Sequence, residues 1–234
     1  MRGVLLNRLT NKVLLTLLGG LTVIGIAFVG WGAYTTSHMR ITADEFLKKN
    51  LRVHTFLADV PLHDIWIFKM RGGGEGRKVR DVLSLWANSG LQETNLIVRS
   101  LFTLRSKMGR IFGWDDEKYY VPSLPYARRL TQTDRESSLS GVGSSMIGPF
   151  RLVYEFDDEA LGEVINGTVH AFLLMAMEPE AHGYTVYWAI YVKKVNALTP
   201  LYMALIDPFR RYLVYPAIIR NLEGAWALAY EKRQ

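Results

Sequence analysis

Residues 169–195, VHAFLLMAMEPEAHGYTVYWAIYVKKV, carry the reading that decides the fold. Two long apolar runs flank the turn Ala181-His182-Gly183, so the segment reads as two antiparallel strands. Side chains alternate between the faces of a strand. Val169, Ala171, Leu173, Met175 and Met177 therefore share one face, and His170, Phe172, Leu174 and Ala176 the other. In the second run, Tyr184, Val186, Trp188, Ile190 and Val192 oppose Thr185, Tyr187, Ala189 and Tyr191. Both faces are apolar or aromatic, whereas a half-solvated antiparallel sheet would alternate with charged residues. One face is expected to pack on helices, and the other to meet a cavity, the bilayer or a partner.

Upstream, RLVYEF (151–156) and ALGEVI (160–165) read as two more strands. Asn166-Gly167 reads as a type I′ hairpin turn, which needs positive φ at both central positions. The sequon that Asn166 begins is taken as this turn. Downstream, Leu201 to Lys232 is helical, with kinks expected at Pro208 and Pro216. Before the sheet, residues 41–52 read as a polar helix or stalk. His54 to Val60 reads as a strand stopped by Pro61, and LHDIWIFKMR (62–71) as a helix interrupted by Gly72-Gly73-Gly74 and Gly76. Helices follow over 77–88 and 91–112, the second ended by Gly113. Residues 115–149, rich in proline, serine and glycine, read as a long loop or lid.

The amino-terminal region has a different character. Residues 13–34, VLLTLLGGLTVIGIAFVGWGAY, hold no charge, and 22 residues of helix at about 1.5 Å each span the hydrocarbon core of a bilayer. Trp31 and Tyr34 fall at the distal end, where aromatic rings prefer the headgroup layer. The run is longer than a secretory h-region, and Gly30-Trp31-Gly32 is a poor cleavage site. The expected organisation is a basic tail (1–12), a transmembrane helix (13–35), a juxtamembrane stalk (36–53) and one domain (54–234). Arg2, Arg8 and Lys12 nearly balance Arg40, Lys48, Lys49 and Arg52 across the span. A short basic tail resists translocation while a long domain does not, which puts the amino terminus in the cytoplasm and the domain opposite.

The formal charge is +6, concentrated in the first half, and no nucleic-acid motif accompanies it. Basic charge beside an anchor suits anionic lipid instead. With no cysteine, disulfides, thiol nucleophiles, iron–sulfur clusters and the usual structural zinc sites are excluded. The glycine run at 72–76 precedes Arg77-Lys78 and is not a P-loop; Asp157-Asp158-Glu159 lacks the pattern of a calcium loop. No nucleophile elbow or HExxH occurs, and the five histidines have no metal-ligand spacing. No cofactor and no catalytic residues are assigned.

The pattern VHAFLLMAMEP, then GYTVYWAIYVKKVNALTPLYMALIDPFRRYLVYPAIIRNL, resembles an uncharacterised family of START-like (helix-grip, SRPBCC-type) domains. Some members of that family are fused to nucleotide-sugar epimerase-like domains. Its recurring features fall on His170, Tyr202 and Pro208-Phe209-Arg210-Arg211, and FTLRSKMGRIFGW (102–114) resembles its arginine-bearing helix. Two departures stand out: Thr168, Ala171 and Phe172 surround His170 where the family has charges, and Arg210 stands where it often has histidine. The resemblance implies an α+β fold in which an antiparallel sheet wraps a long carboxy-terminal helix around an apolar cavity. It covers most of residues 54–232.

On that basis the expected ligand-binding residues are His170, Phe172, Leu174, Tyr187, Trp188, Tyr202 and Arg210. An enclosed pocket would be lined by Phe172, Leu174, Trp188 and their neighbours. A lone strand histidine is more often a core residue than an acid–base group. Tyr187, Trp188 and Tyr191 suit a cavity or ordinary sheet packing equally. Arg105, Arg210 and Arg211 suit an anionic headgroup, but pairing with carboxylates such as Asp207 is favoured. Two functions remain open. One is a membrane-anchored binder of a hydrophobic or amphipathic small molecule (lipid, quinone or pigment). The other is a non-catalytic accessory subunit of a membrane complex, packed through Gly19-Gly20, Gly25 and Gly30 of its transmembrane helix.

Overall fold

The computed structural model describes residues 27–88, 99–100, 103, 106–107, 109–110 and 124–230. The chain divides into two compact units, Met1–His38 and Met39–Gln234. In the first, residues 27–36 are helical, and the Thr35 and Thr36 hydroxyls bond back to the carbonyls of Trp31 and Gly32. No helix of the described residues is long and apolar enough to cross a membrane. The expected span over 13–35 lies outside the described residues as far as position 26, as do most residues of the helix expected over 91–112.

The second unit is α+β, built on one six-stranded antiparallel sheet. Its strands are β1 (Leu62–Arg71), β2 (Met146–Ile147), β3 (Phe150–Glu155), β4 (Glu159–Ile165), β5 (His170–Glu180) and β6 (Gly183–Lys193). The spatial order is β1-β6-β5-β4-β3-β2. From β2 onward, neighbours in sequence pair through short turns, while β1 joins the far side of β6.

Three local expectations are corrected. LHDIWIFKMR is strand β1 rather than a helix, and His54–Val60 belongs to helix and turn rather than a strand. In β1 both faces are apolar, which erases the alternation that marks a half-buried strand. The Asn166-Gly167 turn does join β4 to β5, but neither residue adopts positive φ. Instead the Asn166 side-chain oxygen accepts bonds from the Thr168 and Val169 amides and the Thr168 hydroxyl, an Asx-type turn. At the β5–β6 hairpin, by contrast, Gly183 has φ +142°, and an added Cβ would sit 2.1 Å from the Met70 carbonyl oxygen.

Short helices α1 (Ala43–Leu47) and α2 (Arg52–Phe56) precede β1, and α3 (Val79–Asn88) follows it. The segment expected as a loop from 115 to 149 holds, in its described part, a 3₁₀ turn (Pro125–Arg129), helix α4 (Gln132–Ser137) and β2. Thr42/Glu45 and Thr131/Asp134 form capping boxes at α1 and α4. Helix α2 has no side-chain cap of its own. Glu159 of β4 caps it from outside, accepting bonds from the Arg52 and Val53 amides at 2.9 and 3.0 Å and from the Tyr154 hydroxyl.

The carboxy-terminal helix runs as α5 (Leu198–Phe209), a π-helical turn (Arg210–Val214) and α6 (Tyr215–Tyr230). Between the two prolines where kinks were expected lies this π turn, in which the Tyr215 amide bonds back to the Arg210 carbonyl. Pro216 has no amide hydrogen and its ring crowds the carbonyl four residues back. A locally wider helix makes room for that ring.

Each face of the sheet has its own cover. Leu173, Met175, Met177, Tyr184, Val186, Trp188 and Ile190 pack with Trp66, Phe68 and Met70 of β1, under α3 and α6. On the opposite face, Phe172, Leu174, Ala176, Tyr187, Ala189 and Tyr191 pack under α1, α2 and residues Leu124–Leu130. The face assignments from alternation hold throughout, and the second apolar face is covered by the chain's own amino-terminal helices.

Candidate functional site

The seven expected ligand-binding residues divide between the two faces. His170, Phe172, Leu174 and Tyr187 lie on the side of α1 and α2, whereas Trp188 lies beneath the carboxy-terminal helix. No single pocket on one face is therefore lined by Phe172, Leu174 and Trp188 together. Tyr202 packs on a small cluster with Val169, Ala171 and Met203 at the far end of α5. Arg210 stands at the π turn, joined to the Trp188 neighbourhood through Tyr215.

The helix-side site grows from the β1–β6 register. Trp66 and Trp188 are direct cross-strand partners on the face beneath α6. Tyr215 packs against both rings, with centroids at 5.6 and 5.2 Å, and Trp86 of α3 stacks on Trp188 at 4.7 Å. Trp66 is 0% and Trp188 2% exposed, yet neither indole Nε1 has a hydrogen-bond acceptor. A buried donor left unbonded costs about 1–3 kcal/mol, so native structures rarely tolerate two side by side.

Charge adjoins these rings. Asp64, two residues before Trp66 on β1, is buried and faces Arg40, Arg210 and Arg211 at 3.3–3.4 Å. Asp207 pairs with Arg210 at 2.7 Å, Arg211 at 3.4 Å and His63 at 3.0 Å, so the expected pairing of the arginines is realised. Arg210 also donates to the Tyr215 hydroxyl at 2.8 Å, and Arg40 lies over the Trp66 ring. Burial pushes the Tyr215 phenol up to about 12. Burial alone would lower the Arg210 pKa, but Tyr215, Asp207 and Asp64 outweigh it and hold the guanidinium above its ordinary value. Burial would likewise raise Asp207, but the bond from His63 and the charges of Arg210 and Arg211 keep it low.

The opposite face holds a second polar group that sequence reasoning missed in part. His170 Nε2 lies 2.6 Å from Glu163 Oε1; Glu163 is wholly buried and its Oε2 has no partner. Tyr126 covers the pair, edge-on to His170, and its hydroxyl joins Asp59 and Lys193. His170 is thus half of a buried acid–imidazole pair, a combination able to hold or pass a proton. The signal was present: a turn at Asn166-Gly167 sets Glu163 and His170 on one face, diagonally across the β4–β5 hairpin. Trp66 and Tyr215 carried no such signal, since β1 reads as a helix and nothing around Tyr215, just before Pro216, marks it for a site. Arg105 lies outside the described residues. Among those that are described, no group of three or more His, Cys, Asp or Glu side chains is placed to hold a metal ion.

The fold and the two buried polar clusters define an α+β domain with one antiparallel sheet closed by a long carboxy-terminal helix. A family described as a protein of unknown function, DUF2867, matches residues 56–217, and the chain belongs to that family. No curated protein matches the chain.

Proposed function

We propose that the chain is a single-pass membrane protein, anchored by residues 13–35, whose START-like domain binds a hydrophobic or amphipathic small molecule near the bilayer. The observation that carries this reading is the cross-strand pair Trp66 and Trp188. Two buried indole N–H groups lacking acceptors, set among aromatic rings between sheet and helix, suit a largely apolar ligand bearing oxygen acceptors. The plan of an antiparallel sheet closed by a long helix is the helix-grip plan, and a cavity in such domains lies on this face. The uncharged run at 13–34 supports the anchor, and the basic tail supports a cytoplasmic amino terminus.

Native mass spectrometry of the full-length protein, gently released from its own membrane, tests the binding reading. A reproducible small-molecule mass is expected on the chain, and the double variant Trp66→Phe/Trp188→Phe should lose it. A bare chain, or an extra mass indifferent to both substitutions, would overturn the reading. Resistance to alkaline carbonate extraction, lost on deletion of residues 1–35, tests the anchor.

A second reading is favoured by one surface. Leu198, Leu201, Leu205 and Phe209 are exposed at helical spacing along α5, an apolar stripe suited to a permanent protein contact. On this reading the chain is a non-catalytic accessory subunit. Co-purification of defined membrane-protein partners, abolished by Leu201→Lys/Leu205→Lys, would support it. A ligand-loaded monomer would count against it.

A further inference from the structure

We infer that the polar end of the bound molecule is an anion, a carboxylate or a phosphate monoester, received by Arg210 and Arg211 at the π-helical turn. This inference rests on the ligand-binding reading above. It starts from charge. Around the turn, the guanidiniums of Arg40, Arg210 and Arg211 face two carboxylates, Asp64 and Asp207, with His63 also on Asp207. Among the described residues of this cluster, three guanidiniums against two carboxylates leave one positive charge over.

The cluster is only partly withdrawn from water, the Arg40 and Arg211 side chains being 32% and 27% exposed. The Arg210 side chain is 11% exposed and that of Asp64 2%. An unbalanced charge taken out of water is expensive, and an anion of matching shape removes the imbalance. The donors to receive it are in place. Nε of Arg210 and Nε of Arg211 are both buried and make no hydrogen bond, although Arg211 Nε lies within 3.4 Å of Asp64. Guanidinium groups present their donors in a planar fork that fits carboxylate and phosphate oxygens, which favours these two head groups over a neutral one.

Position links this charge to the aromatic site. Tyr215 accepts from Arg210 and packs on Trp66 and Trp188, so one side chain links Arg210 to both indole rings. The π turn contributes by setting Arg210 and Arg211, consecutive in sequence, both toward Asp64 of β1. An amphiphile with its chain along the tryptophans would place its head group at these arginines.

The test titrates full-length protein in a neutral detergent with three probes of one alkyl chain length: a fatty alcohol, a fatty acid and an alkyl phosphate. Tryptophan fluorescence reports binding. The acid or the phosphate is expected to bind about 10-fold or more tightly than the alcohol, as one additional charge-assisted contact provides. Arg210→Gln should bring the anionic probes down to the alcohol's affinity. Should that variant fail to fold, Arg211→Gln, whose parent side chain is 27% exposed, carries the same expectation. A preference for the phosphate identifies a phosphate monoester head group, and a preference for the acid a carboxylate such as that of a free fatty acid. Equal binding of all three overturns the anionic assignment and leaves the binding reading standing. Binding of none removes both.

Discussion

Replacing Glu159 with alanine should remove the external cap of helix α2 and destabilise the domain by about 3–5 kcal/mol. The carboxylate is 1% exposed and is shared among the Arg52 amide, the Val53 amide and the Tyr154 hydroxyl. Val53 and Tyr154 are themselves buried, so truncation strands two donors at about 1–3 kcal/mol each. The lost cap, worth about 0.5–2 kcal/mol in ordinary helices, overlaps with these losses. The Arg52 amide is only partly buried and regains water. Against a typical domain stability of about 5–15 kcal/mol, the change is large. Glu159→Gln retains an acceptor and the side-chain shape, and should cost only about 1–2 kcal/mol. Urea unfolding followed by tryptophan fluorescence and circular dichroism measures both variants. A shift in midpoint at constant slope is expected. An alanine variant within about 1 kcal/mol of the parent would refute the capping argument.

The same residue gives a pH signature. Burial pushes the Glu159 carboxyl above its ordinary value of 4.5, against the hydrogen bonds that pull it down. The folded chain then holds this proton more tightly than the unfolded chain. The associated stability is fully present below the ordinary value and is lost as pH rises through the raised one. Relative to the Glu159→Gln variant, the parent should lose stability with rising pH across that window, and the opposite slope would refute the assignment.

Other perturbations have equally definite outcomes. Gly183→Ala combines φ +142° with a Cβ 2.1 Å from the Met70 carbonyl, and should cost about 3 kcal/mol or more, read as a lowered unfolding midpoint. Asp64→Asn removes the buried carboxylate that faces Arg40, Arg210 and Arg211, leaves Asp207 alone to balance them, and should cost about 3–5 kcal/mol, with Asp207→Asn milder because that carboxylate is partly exposed. Arg129 holds the exposed Asp59 carboxyl well below the carboxylate range, so its contribution is present above that range and lost as pH falls. Asp59→Asn should flatten the acid limb of the stability profile by less than about 1 kcal/mol.

The strands from Phe150 to Lys193 were legible because their boundaries carry turn residues and their runs exceed what a loop tolerates. Face assignment in β5 and β6 followed from alternation alone. What covers each face did not, since the contacts of Phe46, Val53 and Tyr126 with β5 and β6 depend on tertiary packing. β1 misled because Ile65 and Ile67 serve one face while Trp66, Phe68 and Met70 serve the other, which mimics a helix apolar on all sides. That error hid Trp66 and Asp64, half of the helix-side site. Arg210 was visible as a charge near Asp207, but its tie to Trp188 runs through Tyr215 and a π turn that no sequence period announces. The α4 capping box, by contrast, is legible as Thr131-x-x-Asp134, although the stretch around it reads as a long loop or lid.

The edge position of β1 has a bearing on how the chain reaches its native state. β2 to β6 form by successive local hairpins, but β1 must find β6 from far away: Lys69 and its β6 partner Thr185 are 116 residues apart in sequence. Closing so long a segment is an entropic cost repaid only when the whole β1–β6 ladder has zipped. β1 is therefore expected to dock last, with the side chains it contributes forming contacts late in folding. Loosening Phe68 or Ile65 would hasten unfolding while leaving the folding rate nearly unchanged. It would also free a strand long enough to dock on β6 of a second copy, making exchange of β1 between chains the natural route to a swapped dimer.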